Sequence, residues 1–206
     1  MSLKQSSIPA VVFDFGGVLF DWNPRHLYRQ LFTDRLEEME LFLTEIKFAE
    51  WNVQQDRGRS FAEAVAELSA QFPHHADLIK AYDERWEESI GGVIRPTVDI
   101  LHRLKKVGCP LYGLSNWSAE TFRRIRHKHD FLNLFDDIII SGEVGMIKPD
   151  PDIFMILLER AKRSAEECVF IDDSEANVVA AAKLGFQSIR FESARQLEAE
   201  LSRLGL

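Results

Sequence analysis

Beyond Gly92 the chain alternates short apolar runs with helical stretches, and that alternation leaves few architectures open. The apolar runs at residues 111–114, 138–140, 169–171 and 188–191 are too short for helices and predict strands. Helices are expected between and after them, near residues 118–129, 152–162, 175–184 and 194–204. One more opens at Pro96, carries Ile100, Leu101, Leu104 and Val107, and ends at Gly108. Strands and helices in this order imply right-handed crossovers and a parallel sheet covered on both faces. A further strand is expected at residues 11–15, where the chain breaks into Gly16-Gly17.

From Trp22 to Gly92 the pattern is instead almost wholly helical. Asn23-Pro24 reads as a cap followed by proline at the first helical position. Asp34 with Glu37, and Ser60 with Glu63, have capping-box spacing. Ala64, Val65, Leu68 and Phe72 keep one helical face. The expected fold is therefore α/β: a doubly wound, Rossmann-like parallel sheet formed by residues 8–21 and 93–206. A small all-helical cap, residues 22–92, is inserted after the first strand. The length of 206 residues suits a core domain with a modest insertion.

Composition narrows the partners. Lys plus Arg number 25 against 33 Asp plus Glu, a net charge of -8 with no long basic run. General binding to nucleic acid or to an anionic membrane is thereby excluded. The apolar stretches are shorter than a membrane span, and Met1 to Pro9 holds no signal-peptide hydrophobic region. Cys109 and Cys168 each begin an apolar run and are expected to be buried thiols in a reducing compartment. The expectation is a cytoplasmic monomer or homodimer that acts on a small molecule.

Ligands of doubly wound sheets bind beyond the carboxyl ends of the strands. There the first strand delivers Asp14, and the second delivers Ser115 and Asn116. The third leads through Ser141-Gly142-Glu143 and Gly145 to Lys148-Pro149-Asp150, and the fourth ends in Asp172-Asp173-Ser174. Each alone has an ordinary explanation: a helix cap for Asp173 or Ser174, a turn hydroxyl for Ser115, a solvated Lys148. Together they place three carboxylates at one edge, which is costly unless positive charge lies between them. A hard divalent cation removes that cost, and magnesium is the usual one beside phosphate.

Four segments then resemble a known family. Val11-Val12-Phe13-Asp14-Phe15-Gly16-Gly17-Val18-Leu19 is similar to the first motif of the haloacid dehalogenase-like hydrolases, and Leu114-Ser115-Asn116 to the second. Gly145-Met146-Ile147-Lys148-Pro149-Asp150-Pro151 resembles the third, and Val169-Phe170-Ile171-Asp172-Asp173-Ser174, with Asn177 and Gly185, the fourth. Their order, together with a helical cap after the first strand, is more specific than any one of them. The resemblance implies magnesium-dependent hydrolysis of small phosphate monoesters through an aspartyl-phosphate on Asp14. It implies that the Gly16 carbonyl, Asp14 and Asp173 ligate Mg2+, with Asp172 in the inner or outer shell. Gly17 would let the backbone approach the phosphate, Ser115 and Asn116 would hydrogen-bond it, and Lys148 would pair with both Asp14 and the phosphoryl group.

One departure matters. Most phosphatases of this kind carry a second Asp two residues after the nucleophile, as acid for the leaving oxygen; here Gly16 stands there. Either another group donates the proton, Asp21 being one candidate, or the leaving group needs little help, as in a sugar 1-phosphate. Trp22, Trp51, Asn52, Gln54, Asp56 and Arg57 are cap residues able to face a polar substrate, and Trp117 is placed to reach the site mouth. The six histidines show no ligand spacing. Two rival readings remain. A 2-haloacid dehalogenase needs no cation and so is disfavoured by Asp172-Asp173. A non-catalytic binding protein on the same scaffold is disfavoured by retention of Asp14 and Lys148.

Overall fold

The computed structural model describes residues 8–33 and 35–206. Its strands are β1 (Ala10–Phe13), β2 (Phe20–Trp22), β3 (Ile90–Val93), β4 (Leu111–Ser115), β5 (Asp137–Ile140), β6 (Cys168–Asp172) and β7 (Gln187–Arg190). Five of them form a sheet in the order β5-β4-β1-β6-β7, and every neighbouring pair runs parallel. β1 is central and wholly buried. The order reverses direction at β1, which is the switch point where a doubly wound sheet opens a crevice.

Both faces of the sheet are covered, and side-chain alternation assigns each strand residue to one of them. Ala10, Val12, Leu114, Cys168 and Phe170 face the helices Pro151–Ala161 and Glu175–Lys183, through Ile153, Phe154, Leu157 and Ala181. Val11, Phe13, Leu111, Val169 and Ile171 face the other way, onto Leu101, Leu104, Phe122 and Leu197. That second apolar cluster continues without a break into the inserted helices, taking in Leu27, Tyr28, Phe42, Trp51, Phe61 and Tyr82. The cap is thus packed onto the sheet domain by one shared core.

The stretch expected to be helical throughout differs at both ends. β2 and β3 pair antiparallel, Phe20 with Val93 and Asp21 with Gly92, and so form a ribbon through which the chain leaves and re-enters the sheet domain. Strands of three and four residues, one of them holding Gly91-Gly92, are too short and too glycine-rich to show a periodic signal. The first strand also ends two residues early. The amides of Leu19 and Phe20 both donate to the Phe15 carbonyl at 2.8 Å, so the chain already turns there. The expected helix at 118–129 is α-helical only over Ala119–Ile125 and continues as 3-10 turns.

Capping follows the sequence in part. Asn23 accepts from the Arg25 amide at 3.0 Å with Pro24 at the first position. Ser60 accepts from the Glu63 amide, but the Glu63 carboxylate takes the Ser60 hydroxyl rather than its amide, so the box is half formed. Asp34 lies outside the described residues. Cys109 and Cys168 are buried and free, and among the described residues no helix is long and apolar enough to cross a membrane.

Two loops at the carboxyl edge are seated on each other by Gly142, whose amide donates to the Trp117 carbonyl at 3.1 Å. A Cβ there would lie 2.5 Å from the Ala119 nitrogen and 2.9 Å from the Trp117 oxygen, both backbone atoms that cannot rotate away. Gly142→Ala should therefore cost about 1–3 kcal/mol of stability in denaturant unfolding. A neutral substitution would contradict this close packing of the two loops.

Candidate active site

Four parallel strands end at one edge and bring the predicted residues together. Asp14 directly follows β1, with its amide donating to the Ile171 carbonyl of β6 at 2.9 Å. Ser115 and Asp172 are the last residues of β4 and β6, and Lys148 enters from the segment after β5. The side chain of Lys148 is fully buried. Its Nζ donates to Asp172 Oδ2 at 2.6 Å and to the Leu114 carbonyl at 2.7 Å, and lies 3.0 Å from Asp14 Oδ1.

Oδ1 of Asp14 is crowded with donors. The Phe15 amide and the Ser115 hydroxyl both donate to it at 2.7 Å, beside the Lys148 ammonium. No hydrogen bond from the described residues reaches Oδ2. The carboxylate is therefore pinned by one oxygen and free at the other. Ser115, expected on a phosphate oxygen, here orients Asp14. Asn116 likewise acts on the protein: its Nδ2 donates to the Lys148 carbonyl at 2.9 Å and its Oδ1 accepts from the Lys148 amide at 2.8 Å. That two-point clamp fixes the backbone from which the buried lysine projects.

The paired acids after β6 have unlike surroundings. Asp172 is wholly buried, and both its oxygens are engaged by Lys148, by Asn177 Nδ2 and by the Ser174 amide. Asp173 is exposed and lies over the backbone turn, where a Cβ on Gly17 would fall 2.3 Å from Asp173 Oδ2. A side chain there would displace that carboxylate, and the φ of +72° at Gly17 favours glycine in any case. Oxygens of Asp14, Asp172 and Asp173 lie within 4.8 Å of one another.

Three carboxylates around one ammonium leave negative charge in excess. Burial pushes Asp14 up to about 7; Lys148 opposes the rise, and Asp172 adds to it. Asp173, exposed on its outer side, is also raised, first by the partial burial of its carboxyl and then by Asp172. For Lys148, burial works against the charge, but Asp14 and Asp172 outweigh it and raise the pKa, so the ammonium is retained. A hard cation held by oxygen ligands fits this donor set: it would supply the missing positive charge and return Asp14 to its ionised form.

A cavity opens over this cluster. Asp14, Gly16, Gly17, Ser115, Asn116 and Asp173 form its floor, and Trp22, Arg25, Phe48, Asn52 and Asp56 come down from the cap side. Beside it lies a recess that shares Gly16, Asn52, Asp56 and Asn116 and is walled by Trp22, Phe61, Trp86 and Trp117. Of the cap residues singled out in the sequence, Trp22, Asn52 and Asp56 thus line the site. Trp51 is buried in the cap core with its Nε1 on the Ala64 carbonyl, and Gln54 and Arg57 are exposed. Asp21 is 57% exposed, stands 3.2 Å from His26 Nε2, and lines neither space. Phe61 and Trp86 carry no chemical signature in the sequence; only the chain's path brings their rings to the recess.

Comparison with known proteins places this geometry. The sequence pattern described as haloacid dehalogenase-like hydrolase matches residues 8–185. Sesquiterpene phosphatase astK of Aspergillus oryzae is 30% identical over 97% of both chains. The phosphorylated carbohydrates phosphatase of Thermotoga maritima is 26% identical over 87% of this chain and 83% of its own. Among solved structures, the HAD family enzyme bt-2542 of Bacteroides thetaiotaomicron superposes with a TM-score of 0.73 at 22% identity, covering 91% of this chain and 95% of that one. By its sequence and by the fold that carries the four motifs, the chain belongs to the haloacid dehalogenase-like hydrolases and is a hydrolytic enzyme.

Proposed function

We propose that this hydrolase cleaves small organic phosphate monoesters with the help of magnesium, through an aspartyl-phosphate formed on Asp14. The observation that carries the reading is the carboxylate pinned at Oδ1 and free at Oδ2, set among acids whose charge is not balanced. Both relatives described above are named as phosphatases, and bt-2542 has been crystallised with magnesium and inorganic phosphate. Asp14, Asp173 and the Gly16 carbonyl would hold the ion, with Asp172 occupied in holding Lys148. When bound, magnesium supplies positive charge to the oxygens of the transferring phosphoryl group.

The remaining work falls to the chain itself. Asp14 Oδ2 attacks phosphorus, the bond to the leaving oxygen breaks, and water then hydrolyses the acyl phosphate. Ser115 and the Phe15 amide hold the nucleophile in line, and Lys148 offsets charge without giving up its proton. A dehalogenase would have no use for the acids after β6.

The recess supports an apolar or aryl ester over a sugar phosphate. Four aromatic side chains wall it, and its polar groups are largely taken. Thr121 Oγ1 accepts from Trp117 Nε1 at 3.1 Å, and Asn52 accepts from the Tyr82 hydroxyl at 3.0 Å. Several sugar hydroxyls would be buried there without partners, at a cost of about 1–3 kcal/mol each.

Two outcomes test this. Asp14→Asn should reduce magnesium-dependent hydrolysis of p-nitrophenyl phosphate to background while the circular dichroism spectrum is retained; wild-type turnover in that variant would remove Asp14 from the mechanism. The second follows from charge. Because the folded-state pKa of Asp14 is raised to about 7, its protonated form favours folding, and that contribution is lost as pH rises from about 4 through 7. Magnesium replaces the lost proton, so the rise in Tm on adding magnesium should be larger at pH 8 than at pH 5.5, and Asp173→Ala should abolish it. An equal rise at both pH values, or one that survives in Asp173→Ala, would contradict the metal assignment.

A further inference from the structure

Gly16 leaves the leaving oxygen without the acid that the resemblance would place beside the nucleophile, yet the space is there. A Cβ added to Gly16 meets nothing within 4 Å, and its φ is not positive. The acids lining the two connected spaces are Asp14, Asp173 and Asp56. The first two are committed to nucleophile and cation, which leaves Asp56.

Asp56 lines both spaces and is held in place at their border. It ends the helix Phe48–Asp56, and its carbonyl accepts from Ser141 Oγ at 2.6 Å. The same hydroxyl accepts from the Trp117 amide at 2.8 Å, so this end of the cap helix is tied to the loops of β4 and β5. Its carboxyl accepts from the Ser118 amide and, on Oδ2, from Asn52 Nδ2 at 3.3 Å. Among the described residues no cation lies within ion-pair distance. Asp14, at the end of β1, acts on it through its negative charge, Asp173 lines the same cavity, and Tyr82 faces it from the helix Ala76–Glu84 by way of Asn52. We propose that Asp56 is the general acid of this enzyme, supplying from the cap the proton that position 16 cannot. The proposal rests on the phosphatase reading above.

The proton balance closes. As the phosphorus–oxygen bond breaks, its electron pair goes to the leaving oxygen, which takes the Asp56 proton and departs as the alcohol. The Asp56 carboxylate then accepts a proton from the water that attacks the aspartyl-phosphate, which restores the acid for the next cycle. Burial, with a smaller push from Asp14, raises Asp56 to about 7 against the pull of the Ser118 amide, so a protonated fraction persists at neutral pH. Loss of solvent around the carboxyl is what makes it reluctant to ionise.

The test uses the full chain with magnesium and a leaving-group series from p-nitrophenyl phosphate to simple alkyl phosphates, read in single turnovers. Asp56→Asn keeps the shape and most hydrogen bonds but carries no acidic proton. It should slow alkyl phosphates by about 100- to 10,000-fold and p-nitrophenyl phosphate by less than about tenfold. Gly16→Asp added to that variant should recover alkyl phosphate hydrolysis. Should Asp56→Asn fail to fold, the wild type still answers: its alkyl phosphate rates should decline above a pKa near 7, with a shallow dependence on leaving-group acidity. Equal losses on both ester classes would make Asp56 only a tie between cap and core and would overturn the proposal. So would a steep leaving-group dependence in the wild type. A wild type that hydrolyses no ester in the series would instead overturn the phosphatase reading, and the proposal with it.

Discussion

The ammonium of Lys148, buried between Asp14 and Asp172, is the contact on which the site is built. An isolated charge at that depth would be strongly unfavourable, and so would either acid alone. Together they form a set in which the ammonium offsets both acids, and removing one partner of a buried pair costs about 3–5 kcal/mol. The surrounding structure serves that arrangement. Asn116 clamps the lysine's backbone, Asn177 and the Ser174 amide hold Asp172, and Ser115 with the Phe15 amide holds Asp14. Three strand ends and one loop are thereby tied across the edge of the sheet. The parallel topology makes this possible, because it points every strand's last residue the same way.

The set is deliberately incomplete in charge. One lysine cannot balance three carboxylates, and Asp173, the one left on the exposed side, is the acid with least protein bonding. The cap completes the site from the other side. It shares a continuous apolar core with the sheet domain, so Trp22, Asn52 and Asp56 are held over the floor by packing as well as by the Ser141 bond. The rings of Trp22, Phe61, Trp86 and Trp117 wall the recess beside it, and Asp56 stands at the border of the two spaces.

The floor was legible in the sequence because strand ends are local features. An apolar run that stops at Asp14-Phe15-Gly16-Gly17, or at Asp172-Asp173-Ser174, fixes which residues sit at the edge before any packing is known. The convergence of Lys148 with the acids followed from the expected parallel topology, whereas the strand order is seen only in the structure. What stayed hidden depends on contacts distant in sequence. Ser115 and Asn116 were correctly placed, yet their partners, Asp14 and the Lys148 backbone, lie 101 and 32 residues away. The β2–β3 ribbon spans too few residues to show alternation. Asp56 was visible only as one of several polar cap residues. Nothing in its neighbours Gln55 and Arg57 says that it faces inward while Gln54 and Arg57 face water. Asp21, nearer in sequence to the nucleophile, was the more obvious proton donor, and the antiparallel ribbon carries it away from the cavity.

The central claim, a covalent phosphoryl-enzyme on Asp14, has a signature at the phosphorus atom itself. Hydrolysis in isotopically labelled water of an aryl phosphate made chiral with oxygen isotopes reports the stereochemical course. Two successive in-line displacements, the first by Asp14 and the second by water, predict net retention at phosphorus. Net inversion would mean that water attacks the substrate directly and would contradict the account.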